Sequence, residues 1–250
     1  MHRLLATGLT AACLAIPARA EIVGSPHAYS VGDTEFEGYV AHNTALEAPG
    51  GTVLIVHDWD GVNDHEERTA ERLAAKGYTA FAIDLFGAEA DPQGFEDYRA
   101  LTGALYGDRE LLRARLMGAI EAAAEIPGSG GGVVMIGYCF GGAAVLEAAR
   151  AGAGMDGYVS FHGGLETPEG QDYAQAGAPV LLLHGTADPV SGMDDLAALL
   201  DELEGAGVAH RAEVYGGARH AFTVHGSDDY DMEAERRAWD ALQGFLEERL

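Results

Sequence analysis

The residues best suited to chemistry gather around Cys139. The apolar run Val133-Val134-Met135-Ile136 leads straight into Gly137-Tyr138-Cys139-Phe140-Gly141-Gly142, and then into the helix-forming segment Ala143 to Arg150. This is G-x-C-x-G at an expected strand-to-helix turn, a nucleophile elbow with sulfur in place of a hydroxyl. Sterics account for the glycines. A turn sharp enough to push one side chain out at a strand tip brings together the residues two before and two after it, where any Cβ would clash. A cysteine so placed sits at a helix N-terminus, whose dipole favours negative charge on sulfur and whose free N–H groups favour an oxyanion. A free cysteine on its own is more often a small core residue; the glycines reverse that reading.

Two partners follow in the chain. After Val180-Leu181-Leu182-Leu183 comes His184-Gly185-Thr186-Ala187-Asp188-Pro189, a strand end and tight loop that would display Asp188. Past a last strand, Gly216-Gly217-Ala218-Arg219-His220-Ala221-Phe222 would display His220. In this order of nucleophile, acid and base, His220 would take the thiol proton or stabilise the thiolate, and later activate water. Asp188 would fix the imidazole tautomer and stabilise its charged form. Each residue has a plainer reading. Asp188 before Pro189 suits a turn, and His220 competes with His57, His162, His184 and His225. His184 reads as scaffold in a tight turn, His162 before Gly163-Gly164 borders the pocket at most, and His225 lies further from the strand end than His220.

Positioning these residues takes alternating strands and helices. Short β-branched runs at Thr52 to His57, Thr79 to Asp84, Val133 to Gly137, Gly157 to Phe161, Val180 to His184 and Arg211 to Tyr215 alternate with helical patterns. That alternation is the signature of an α/β fold, a mostly parallel sheet with helices on both faces. Helices are expected from a cap at Asp64 to the Gly77 stop, over Asp108 to Ile126, over Met193 to Leu203 and over Met232 to Leu250. His27 to Asn43 alternates weakly and suits an antiparallel edge. No repeat or linker divides residues 21 to 250, so one domain is expected.

The first twenty residues read as a signal peptide. His2 and Arg3 precede an apolar run from Leu4 to Ile16, and Ala18-Arg19-Ala20 supplies a small-x-small cleavage pattern. Export to the periplasm or medium would follow. Cleavage would leave 13 Lys and Arg against 40 Asp and Glu, a net charge of −27, and Cys139 as the sole thiol. Such a surface repels phosphate, which argues against nucleic-acid binding and stable membrane association. A monomer or small homo-oligomer is expected, with no metal and no cofactor. The group His57, Asp58, Asp60, Asp64 and His65 has neither EF-hand nor H-E-x-x-H spacing.

With Gly137 to Gly142, Asp188 and His220 in place, the chain resembles the dienelactone hydrolase family of the α/β-hydrolase superfamily over nearly all of residues 21 to 250. A second patch, His57-Asp58-Trp59-Asp60-Gly61-Val62-Asn63, is similar to the family's segment after its first parallel strand. The resemblance implies that Asp58 is an acid contacting the nucleophilic thiol, in the place of the family's glutamate. It also implies that the Trp59 and Phe140 N–H groups form the oxyanion hole. Dienelactone-cleaving members hold the substrate carboxylate with two arginines, and Ala88 and Val224 stand in those places here. Without that clamp an anionic lactone is a poor candidate.

Sulfur narrows the reaction. A thiolate leaves a tetrahedral intermediate far more readily than an amine, so amides collapse backward, whereas esters and lactones go forward to a thioester. The expectation is a small-molecule ester or lactone hydrolase whose pocket is bordered by Trp59, Tyr138, Phe140, Phe86, Phe222 and His162. Two other readings stay open: a non-catalytic ligand-binding relative, since folds outlive their chemistry, and an exported thiol sensor, although no resolving cysteine accompanies Cys139.

Overall fold

The computed structural model describes residues 21–46 and 48–250; the expected signal peptide lies outside the described residues. The chain begins with a hairpin, β1 (Ile22–Val31) and β2 (Thr34–Asn43), turned at Gly32-Asp33. Then follow β3 (Thr52–Val56), α1 (Asp64–Ala75), β4 (Thr79–Ile83), α2 (Phe95–Gly107), α3 (Arg109–Ala124), β5 (Val133–Tyr138) and α4 (Phe140–Arg150). The chain finishes with β6 (Gly157–Phe161), β7 (Val180–Gly185), α5 (Met193–Gly205), β8 (His210–Tyr215) and α6 (Met232–Arg249). The sheet runs β1-β2-β4-β3-β5-β6-β7-β8, antiparallel where β1 meets β2 and β2 meets β4, and parallel from β4 to β8. No helix among the described residues is long and apolar enough to cross a membrane.

Strand alternation divides the core in two. Leu54, Val56 and Met135 point to the face covered by α3, α4 and α5. Val53, Ile55, Val134, Ile136 and Tyr138 point to the face covered by α1 and α6. The parallel strands carry apolar side chains on both faces because both faces are covered.

Two local details differ from the sequence reading. The α1 cap is Asn63, not Asp64: its side chain accepts from His65 N–H at 2.9 Å, and Glu66 Oε2 accepts from Asn63 N–H at 3.1 Å, a capping box. Helix α2 was not expected at all. It starts at Gly94, whose φ of 146° only glycine adopts readily, has no side-chain cap, and buries only Thr102 and Leu105. Helix α4 is the opposite case, buried along its whole length, and carries the ionisable Glu147 inside. Three arginines surround that carboxylate: Arg113 at 2.6 Å, Arg150 at 2.8 Å and Arg109 at 3.6 Å. Burial would raise the Glu147 pKa, but Arg150 and Arg113 outweigh it and hold the group ionised.

Candidate active site

The strand register determines where the site lies. Val56, Gly137, Phe161, Leu183 and Tyr215 lie at or next to the C-terminal ends of neighbouring parallel strands, so the loops that follow open on one rim. Cys139 comes directly after β5, with φ 51° and its N–H donating to Phe161 C=O at 3.1 Å. A Cβ on Gly137 would lie 2.3 Å from the Gly141 carbonyl oxygen, and one on Gly141 would lie 2.2 Å from that of Val56. Both glycines are therefore sterically required, and the strained backbone at Cys139 is the result.

The loops after β7 and β8 bring Asp188 and His220 to this sulfur. His220 Nε2 is 3.0 Å from Cys139 Sγ, and His220 Nδ1 is 2.8 and 3.0 Å from the two Asp188 oxygens. Asp188 Oδ1 also accepts the N–H groups of Val190 at 2.8 Å and Ser191 at 3.1 Å. Burial would raise the Asp188 pKa, but the His220 ring and these donors hold it below the usual carboxylate range. Burial likewise opposes charge on His220, yet hydrogen bonds to Asp188 and Cys139 push its pKa up to about 10. His184 is scaffold: its Nε2–H donates to Ser191 C=O at 2.9 Å and so fixes the Asp188 loop. His225 lies apart from the sulfur, against Tyr230.

The loop after β3 lines the same cavity as the sulfur. His57 is fully buried; its Nε2 accepts from Leu85 N–H at 3.1 Å, so Nδ1 carries the proton and donates to Asp58 C=O at 2.6 Å. Burial lowers its pKa, and the ring stays neutral. The Trp59 and Phe140 amides have no backbone acceptor among the described residues, as an oxyanion hole requires. Asp58 borders the same cavity as Cys139, but its Oδ1 accepts from Asp60 N–H at 3.1 Å. Burial, the Asp60 side chain and the charge of the buried Glu66 push the Asp58 pKa far above the carboxylate range, and burial raises Glu66 as well.

The cavity over Cys139, about 340 Å³, is lined by Asp58, Trp59, Asp60, His162, His220 and the small or apolar Val190, Ala221, Val224 and Ser227. Of the side chains expected at its border, only Trp59 and His162 line it. Tyr138 alternates to the α1–α6 side and stacks on Phe161; Phe86 packs against His57; Phe222 is fully buried between His162 and Tyr215. The Phe140 ring enters the core. His162, at φ 37°, sits 5.4 Å from His220 between ring centroids, and its Nε2 is 2.7 Å from Thr223 Oγ1. Val190 and Ser227 went unnoticed in the sequence because they lie on loops with no periodic signal. Among the described residues no group of His, Cys, Asp or Glu converges as a metal site needs.

Residues 36–250 match the model of the dienelactone hydrolase family. The chain belongs to that family. The fold is that of the α/β-hydrolase superfamily, and membership makes this chain a hydrolase of lactones or esters. A Methylorubrum extorquens relative provisionally named carboxymethylenebutenolidase is 27% identical over 264 residues, covering 97% of this chain and 89% of the relative. A Bradyrhizobium relative, provisionally named a 2-oxo-3-(5-oxofuran-2-ylidene)propanoate lactonase, is 28% identical over 75% of this chain and 79% of its own length. Among solved structures, a dienelactone hydrolase-like promiscuous phosphotriesterase from metagenomic libraries superposes with a TM-score of 0.85. Its identity is 32%, with 92% of this chain and 99% of that one covered.

Proposed function

We propose that this dienelactone hydrolase family member cleaves small carboxylic esters or lactones through a Cys139-His220-Asp188 triad and a thioester acyl-enzyme. His220 Nε2 holds the proton drawn from the thiol and stabilises the thiolate, which attacks the carbonyl carbon, and the negative oxygen is met by the Trp59 and Phe140 N–H groups. The C–O bond breaks, the alcohol leaves with the proton from His220, and the acyl group stays on sulfur. His220 then deprotonates a water that attacks the thioester, releasing the acid and restoring the thiol. The observation that carries this reading is the continuous line of contacts: 3.0 Å from sulfur to Nε2, and 2.8 Å from Nδ1 to Asp188.

The test compares an activated aryl ester with its matching anilide and looks for an acyl adduct on Cys139 by mass spectrometry. Turnover of the ester alone, abolished in Cys139→Ala, is the expected result; equal cleavage of the anilide, or activity retained by Cys139→Ala, overturns it. A second reading, attack of the same sulfur on a phosphotriester with loss of an aryloxide and hydrolysis of the S–P bond, is favoured by the 32% identical phosphotriesterase. The same variant assayed on a dialkyl aryl phosphate decides it. The signal-peptide pattern over residues 1 to 20 supports an exported enzyme.

A further inference from the structure

Arg109 has no part in the chemistry above. It opens α3, just past Asp108, the residue at which α2 ends and α3 begins. Its guanidinium lies over the Tyr106 ring, 4.8 Å from the centroid, and that ring meets Phe140 edge-on at 5.3 Å. Since Phe140 directly follows Cys139, the arginine stands two aromatic rings away from the nucleophile.

The charges around it leave Arg109 with unused capacity. Arg113 and Arg150 hydrogen-bond to the buried Glu147 at 2.6 and 2.8 Å, whereas Arg109 is 3.6 Å from it, an ion pair beyond hydrogen-bond reach. Among the described residues no other carboxylate lies within ion-pair distance of Arg109. A guanidinium stays charged and presents five donors in a planar fork, the geometry that receives a carboxylate bidentately. This one is about a quarter exposed and lines a cavity of about 450 Å³ shared with Tyr106, Ala143, Gly164 and Arg150, the last a buried guanidinium already bonded to Glu147, Gln171 and Tyr173. Val190 lines both this cavity and the one over Cys139, so the two adjoin along its side chain. Two acids also border the outer cavity. Asp195 is engaged by Gly192 N–H at 2.7 Å, and Glu166 is exposed.

We propose that the outer cavity receives the anionic end of an elongated ester, with the carbonyl at Cys139, an apolar arm along Val190 and Tyr106, and a terminal carboxylate on Arg109. The proposal rests on the ester-hydrolase reading. It places charge recognition far from the scissile bond, whereas Val224, in the wall beside the sulfur, is apolar.

The test uses aryl half-esters of succinate, adipate and suberate against aryl esters of the matching unsubstituted acids. A parallel series carries the carboxylate on the alcohol arm. In one series the long anionic ester should exceed its neutral match by about tenfold in kcat/KM, through KM, the succinate-length ester gaining nothing. Arg109→Gln should erase that advantage and leave neutral esters unchanged, with Arg109→Lys restoring part of it; Arg113 and Arg150 still neutralise Glu147, so these variants should fold. No anionic preference in either series, or equal losses on neutral and anionic esters, overturns the proposal. Failure to cleave any neutral ester would instead overturn the ester-hydrolase reading. Calorimetric binding of suberate to Cys139→Ala, weakened when Arg109→Gln is added, tests the cavity without turnover, and unchanged binding refutes it.

Discussion

Asp188, bonded to the histidine that meets Cys139, and Asp58, in the wall of the cavity over Cys139, are almost equally shielded, 7% and 5% exposed, yet they are held in opposite states. Asp188 receives two backbone N–H groups and the His220 ring, and stays ionised. Asp58 receives one backbone N–H and faces the carboxyl of Glu66, so its neutral form is favoured. Burial sets only the cost of a charge; the donors that meet it decide whether the charge survives. Two carboxyl groups near one cysteine are therefore held in two states: Asp188 is ionised against the His220 ring, and Asp58 is an uncharged wall of the cavity.

The contrast is tested most severely at Asp188. Asp188→Asn should lower kcat by roughly 10³ to 10⁴, because an amide stabilises the wrong imidazole tautomer; steady-state turnover within tenfold of the parent would dissolve the distinction. Asp58→Asn should do nearly the reverse. Its folded pKa is raised, so its contribution to stability is greatest at low pH and declines as pH rises past its unfolded value near 3.9. The amide removes that penalty. Thermal melts should show Asp58→Asn several degrees more stable at pH 7, at roughly 2–4 °C per kcal/mol, and no gain near pH 3; a lower Tm at pH 7 would mean that Asp58 is ionised and paired. The smallest effect is at His220. Its raised pKa contributes stability below about pH 6.5 that is lost as pH rises through about 10. The Tm gap between the parent and His220→Gln, about 3 °C at pH 6 for about 1 kcal/mol, should close by pH 10 to 11. A constant gap contradicts the assignment.

The rim that carries this contrast was legible because its strands are continuous apolar runs and its loops are marked by glycines that sterics demand. The parallel strands fell within a residue or two of their expected ends. Helix α2 was illegible because it buries two residues and has no capping side chain, which leaves neither periodicity nor a start signal. Strand β1 showed only weak alternation, since most of it is exposed and ten pairings with β2 hold it in place. The cavity walls were the least legible part. Tyr138, Phe86 and Phe222 lie close to Cys139 or to the site loops along the chain, but side-chain direction follows the pleat and the turn, and it sends all three into the core. Arg109 was hidden for a related reason: nothing in the sequence reveals that Arg113 and Arg150 satisfy Glu147 and leave it the spare cation.

His57 bridges the ends of β3 and β4 through one fixed tautomer, accepting from Leu85 and donating to Asp58, and it resists protonation. The Trp59 amide is thus mounted on a strut that acidification does not loosen, whereas the His220 ring loses its charge only as pH rises through about 10. Acidification should therefore leave this side of the cavity rigid, and structure lost in acid should return in full on neutralisation.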